Sequence, residues 1–293
     1  MTDIYKQCFF LSLIIFSISF MPKNPTKAVV FDLDETLGHF TQLGLICDMI
    51  DNAHAREHIP SPAFDSMMEM FSEYQRPGIV KILRYLVGKK HNGSCNMVMI
   101  YTNNQGPRGW AIKLQKYFEK KIGHAIFDRI IAAFKIDGRR VELKRTSHDK
   151  TVDDLISCTR IPNDTQICFI DDQHHPRMEH DNVYYIHIKP YVCTIPYQSI
   201  SNRLNDSVML DKLSPEGKDE LLRSIEKLSR SYPADNVIRD ADEVTVDAIV
   251  GKRVLHHIQE FFKMYGNRFT RRRSQVRSHR RNRATRKAAS SLQ

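Results

Sequence analysis

The sequence has no CxxC pair, no apolar run of membrane-spanning length and no internal repeat. Its six cysteines, Cys8, Cys47, Cys95, Cys158, Cys168 and Cys193, are scattered, and Cys168 lies inside an apolar, strand-like stretch. This spacing excludes a zinc site of paired thiolates and points to reduced, structural thiols in an intracellular protein. The most apolar segment, "CFFLSLIIFSISFM" at 8–21, has 14 residues. A helical span needs about 20, so the segment is short for one and closer to a signal-peptide core. Only Lys6 precedes it as a positive charge, however, and the small residues of a cleavage site are missing. Residues 1–26 are therefore expected to be an apolar N-terminal extension, with Met21 as the working start. A membrane anchor, with membrane contact through 8–21, and a cleaved signal remain the alternatives.

Acid is missing from the C-terminal end. Residues 266–293 hold ten arginines and lysines and no carboxylate, so the net charge of +10 belongs to this tail. Before it, 34 basic residues balance 34 acidic ones. With almost no apolar content the tail is expected to be disordered. Polybasic segments bind nucleic acid by counterion release, act as nuclear import signals or meet anionic membranes. Nucleic-acid contact through 266–293, and a nuclear location, are the expectations that follow.

What remains is an ordinary globular composition, 41% apolar. "AVVF" at 28–31, "NMVMIYTNN" at 96–104, "TQICFIDD" at 165–172 and "NVYYIHI" at 182–188 have the apolar runs of buried strands, with 127–134 a further candidate. Between them "RPGIVKILRYLVGKK" (76–90), "GWAIKLQKYFEKKIG" (109–123) and "KTVDDLISCT" (150–159) have the periodicity of helices. The alternation predicts an α/β, Rossmann-like three-layer fold with a parallel sheet over 27–200. Residues 38–75, with a helix near 62–74, are expected to form a small cap or insert. Residues 201–265 are expected to form a helical extension, with helices at 214–231, capped by Ser214, and at 244–266.

Three polar clusters sit where strands end, and ligands bind beyond the carboxyl ends of parallel strands. Phosphate-ester hydrolysis through a covalent intermediate needs a carboxylate nucleophile, an acid/base, a divalent cation and groups that hold the phosphoryl oxygens. Asp32 is placed to be the nucleophile, and Asp34, two residues on, the acid/base. Asp171 and Asp172 can supply oxygens to Mg²⁺. Thr102 offers a hydroxyl beside backbone N–H groups, with Asn103 next to it, and Lys150 offers an ammonium. Lys144 competes with Lys150, which is preferred because its helix leads straight into "ICFIDD". His174 and His175 suggest a metal pair, but adjacent side chains diverge. His256 and His257 are expected on a helix surface, and Trp110 is expected to pack its helix.

"DLDET", "MIYTNN", a lysine and "ICFIDD", in that order, resemble the four motifs of the haloacid dehalogenase superfamily. "FDLDETLGH" and "RPGI" are similar to its branch of serine/threonine phosphatases acting on the RNA polymerase II tail, with their NLI-interacting-factor relatives. "TNNQGPRGW" is similar to a segment of the polynucleotide 3′-phosphatases of the same superfamily. The resemblance covers 27 to about 190. It implies an aspartyl-phosphate on Asp32, acid/base work by Asp34, and Mg²⁺ held by Asp32, the Asp34 carbonyl and Asp171. A phosphorylated protein is the expected substrate and a nucleic-acid 3′-phosphate the alternative. The other class kept open is a catalytically idle adaptor carrying the tail to nucleic acid.

Overall fold

A computed structural model describes residues 26–106, 108–231 and 241–264. The apolar 8–21 run and the basic 266–293 tail lie outside the described residues. In chain order the strands are β1 (Lys27–Phe31), β2 (Met97–Tyr101), β3 (Arg129–Ile131), β4 (Lys135–Ile136), β5 (Arg139–Arg140), β6 (Gln166–Asp171) and β7 (Val183–His187). The helices are α1 (Thr41–Arg56), α2 (Phe64–Met70), α3 (Ile79–His91), α4 (Arg108–Ile122), α5 (Val152–Thr159), α6 (Tyr197–Asn205), α7 (Pro215–Ser231) and α8 (Ala241–Lys263).

Five strands form one parallel sheet in the order β3-β2-β1-β6-β7. The chain steps outward from β1 to β2 and β3, then returns to the other side of β1 as β6 and β7. The order therefore reverses between β1 and β6, which is where doubly wound sheets open a crevice at their carboxyl ends. β4 and β5 make a separate antiparallel hairpin. Its turn is Asp137-Gly138, with φ of 48° and 74°, the left-handed pair that a tight two-residue hairpin requires.

The strands are apolar on both faces because both faces are covered. Val29, Phe31, Val98, Ile100, Cys168 and Ile170 point into the larger core, while Ala28, Val30, Met99, Tyr101, Ile167 and Phe169 point into the smaller one. Helix α5 covers the smaller core with Val152, Leu155 and Cys158. The other helices contribute to the larger one. The sequence pattern predicts one helix in 38–75; the structure has two, and Leu43, Ile46, Cys47, Ile50 and Ala53 of α1 are buried at helical spacing. Gln42 and His54, polar and yet buried on the same face, weaken the pattern that would have marked it.

Helices α7 and α8, expected as an extension, bury Leu221, Ile225, Val254, Ile258 and Phe261 in the core shared with the sheet. Ser214 does cap α7, its Oγ accepting from the Gly217 N–H at 3.0 Å. Two contacts seat α8. Gly251 lies against the Pro77–Gly78 segment so closely that a Cβ there would stand 2.2 Å from the Pro77 carbonyl oxygen. At the other end, Lys27 Nζ donates to the carbonyls of Phe261 (3.1 Å) and Met264 (2.8 Å). A cation there satisfies carbonyls that a helix end leaves unpaired.

Candidate active site

The crevice between β1 and β6 gathers the acids that the sequence singled out. Asp32 follows β1 directly, its N–H donating to the Ile170 carbonyl at 2.9 Å and so continuing the ladder. Asp171 closes β6 and Asp172 follows. All three are buried, and one oxygen from each lies within 4.8 Å of the others. Lys150 is buried among them. Its Nζ donates to Asp32 Oδ1 and, at 2.8 Å, to Asp171 Oδ2. Thr151 fixes this placement by capping α5, its Oγ1 accepting from the Asp154 N–H at 3.0 Å. Of the two lysines weighed, Lys150 is the one in the site; Lys144 is exposed.

Crowding acids out of water sets their protonation. Burial pushes the Asp32 carboxyl up to about 7, against the pull of Lys150 and with help from the Asp171 charge. Burial works on Asp171 in the same direction, but hydrogen bonding to His175 and the Lys150 ammonium outweigh it and hold that carboxyl below its ordinary value. Asp172 is raised by burial and by its charged neighbour Asp171. The site thus sets three carboxyl groups against one ammonium, and burial holds two of the three back from ionising.

Asp34 stands apart from this group. Burial raises it to about 6, although Asn104 Nδ2 donates to its Oδ2 at 2.7 Å. Its Oδ1 is buried without a partner. Thr102, at the end of β2, is buried, and its Oγ1 accepts from the Asn104 N–H at 2.9 Å. Asn103 Oδ1 is buried and unpartnered. The strand-end loops thereby bring Asp32, Asp34, Thr102, Asn103, Lys150, Asp171 and Asp172 to one rim of the sheet.

Other residues shape the site, and apart from Glu35, which belongs to the acidic run after β1, they carry no acidic-cluster signal. Glu35 holds a left-handed φ of 54°, which is costly for a residue with a Cβ, and it turns the chain just after Asp34. Arg76, wholly inside, holds that turn: its guanidinium donates to the carbonyls of Glu35, Thr36 (2.6 Å) and Lys189 (2.9 Å). Thr36 Oγ1 in turn donates to Asp172 Oδ1 and accepts from the Asp172 N–H, both at 3.2 Å. Arg145, also fully buried, donates to the carbonyls of Thr102 (3.1 Å), Ala132 (3.0 Å) and His148 (2.9 Å), tying the Thr102 loop to the turn before Lys150.

The adjacent histidines do diverge. His175 Nε2 lies 3.4 Å from Asp171 Oδ2, while His174 turns outward to Glu179 at 3.0 Å. His256 and His257 are exposed on α8. Trp110 packs its helix, edge-on to Phe64 at 5.4 Å and against Gly44.

No described protein family and no characterised protein matches this sequence. No helix among the described residues is long and apolar enough to cross a membrane.

Proposed function

We propose that the chain is a Mg²⁺-dependent phosphomonoester hydrolase of the haloacid dehalogenase type, acting through an aspartyl-phosphate on Asp32, with phosphorylated serine or threonine in proteins as substrate. The observation that carries this reading is the buried set Asp32, Asp171, Asp172 and Lys150 at the point where strand order reverses.

The residues fit the ion. The donors are hard carboxylate oxygens, close together and only partly neutralised by Lys150, which suits a small divalent cation. Asp32, Asp171 and Asp172 would hold it, and when bound it would screen the phosphate's charge from the nucleophile. Asp34 sits outside the carboxylate group, so only its backbone carbonyl is available to the ion.

The chain's own groups divide the work. Asp32 attacks phosphorus as the carboxylate, and the bond from phosphorus to the alcohol oxygen breaks. Lys150 favours that ionised form, and with the Thr102 hydroxyl it can hold phosphoryl oxygens. Asp34, with its carboxyl near 6, is poised to give its proton to the departing oxygen. In the second half it takes a proton from water, whose oxygen attacks phosphorus and releases phosphate from Asp32. The unsatisfied Oδ1 of Asp34 is the atom free to exchange that proton.

The test is hydrolysis of an aryl phosphate with and without Mg²⁺, followed by a panel of phosphopeptides and 3′-phosphorylated oligonucleotides. Mg²⁺-dependent turnover with phosphopeptides preferred is expected. No turnover of any ester at saturating Mg²⁺ overturns the reading, and preference for the oligonucleotides moves the substrate to nucleic acid.

A further inference from the structure

A cavity of about 280 Å³ opens beside the catalytic loop, between α4, β3 and the β4–β5 hairpin. It shares Thr102 and Asn104 with the site, and Ile112, Phe127, Ile136 and Val141 wall it. Asn104 is the residue that holds Asp34, so one side chain separates the cavity from the group proposed to protonate the leaving alcohol. Its size lies at the small end of the range of ligand pockets, which begins at roughly 300 Å³, and leaves room for a side chain.

Its polar groups are mostly spoken for. Asn104 bonds Asp34 and the Gly106 N–H, and Gln115 bonds Glu119 and the Phe127 carbonyl. Asp128 accepts from Lys90 at 2.7 Å and from the Val98 N–H at 2.8 Å. Of the lining polar side chains only Arg129 and Glu142 have no hydrogen-bond partner among the described residues, and their charges offset each other. A nucleobase buried here would find few free groups for its edges, and leaving them unpaired is costly. Among the described side chains the lining carries no net positive charge to attract a neighbouring phosphodiester. An apolar side chain pays neither penalty.

We infer that this cavity is a specificity subsite that takes one apolar side chain of a phosphoprotein, from a residue flanking the phosphorylated serine or threonine. The inference rests on the phosphatase reading and adds which sequences that site prefers. Burying one branched aliphatic side chain against a well-formed wall separates substrates by about tenfold to a hundredfold in kcat/KM.

The experiment compares phosphoserine peptides that carry leucine or aspartate at the position before or after the phosphorylated residue, in the full chain with Mg²⁺. The quantity read is the ratio of kcat/KM between the leucine and aspartate peptides. It is expected to be about tenfold or more in one of the two positions. In Ile136→Asp that ratio should fall below about twofold, and Val141→Ala, a milder change in case the hairpin tolerates no charge, should lower it partway. Turnover of both peptides without preference overturns the subsite and leaves the phosphatase reading standing. A preference that survives in Ile136→Asp and Val141→Ala also removes the cavity from recognition. A 3′-phosphorylated oligonucleotide turned over faster than every peptide overturns the choice of occupant. No turnover by wild type on any ester overturns the phosphatase reading and the subsite with it.

Discussion

Asp32 combines two demands that conflict. In the proposed reaction it must be charged to attack, and yet it is held where charge is costly, so its effect on rate and its effect on stability have opposite signs. Asp32→Asn should lower phosphatase kcat by several orders of magnitude, since the covalent route disappears, while circular dichroism and melting show an intact fold. A purified variant keeping a tenth of the wild-type rate would remove Asp32 as nucleophile. Asp171→Ala should weaken Mg²⁺ binding, with partial recovery of rate at saturating metal; an unchanged Mg²⁺ titration would take Asp171 out of the metal's ligands. Asp34 allows the linkage to be worked out. Its carboxyl titrates near 3.8 when free and about 6 when folded. The folded value is the higher, so its stabilising contribution is complete below the free value and is lost as pH rises through the folded one. Asp34→Asn does not titrate, and its amide oxygen can still accept from Asn104. In metal-free urea denaturation its stability relative to wild type should grow between about pH 4 and pH 7, by up to about 3 kcal/mol. An advantage that shrinks with pH would contradict the burial of Asp34. The acids were legible because carboxylates directly after apolar runs have few structural reasons to be there. Arg76, Arg145 and Thr36 were not. The two arginines bond backbone carbonyls, which leave no trace in side-chain patterns, and a buried arginine runs against hydropathy. Thr36 serves the site only through Asp172.

At the level of elements, the glycines of α3 and α8 separate two roles. Gly251 lets α8 reach the Pro77–Gly78 segment, and Gly78 itself starts α3 at a φ of 86°. Gly251→Ala should push α8 away and cost about 1–3 kcal/mol by urea denaturation. Gly88, inside α3, has nothing within 4 Å of an added Cβ. Gly88→Ala should therefore gain about 0.5–1 kcal/mol by the same measurement. Equal effects at the two positions would show that α8 does not depend on the close approach. The strands and most helices were legible for the reason that makes them stable: β1, β2 and β6 are buried on both faces and read as unbroken apolar runs. Helix α1 was hidden because the polar residues Gln42 and His54 are part of its buried face and weaken the apolar stripe at both ends. The periodicity of α8 was visible, but its seat was not, because a glycine contact has no hydropathy.

For the whole molecule, net charge and the candidate site are separable in sequence. Removing 266–293 takes away ten cations and none of the site or core residues. Aryl phosphatase activity should be unchanged, while oligonucleotide affinity, and its steep fall with added salt, should disappear. Titration of full-length and truncated chains at two salt concentrations checks this, and equal binding by both would place the nucleic-acid contact on the α/β body. The contact between Lys27 and the last carbonyls of α8 has a geometric consequence for both terminal segments. Lys27 begins β1 and Asp32 follows its end, so strand length alone sets the two roughly 16 Å apart across the sheet. The chain enters the fold beside Lys27 and leaves it at Met264, whose carbonyl the same ammonium holds. The described residues thus begin and end together, at the end of the sheet opposite the rim that carries the candidate site. A surface that meets the protein at Lys27 and the end of α8 would lie behind it, with the crevice turned toward solution.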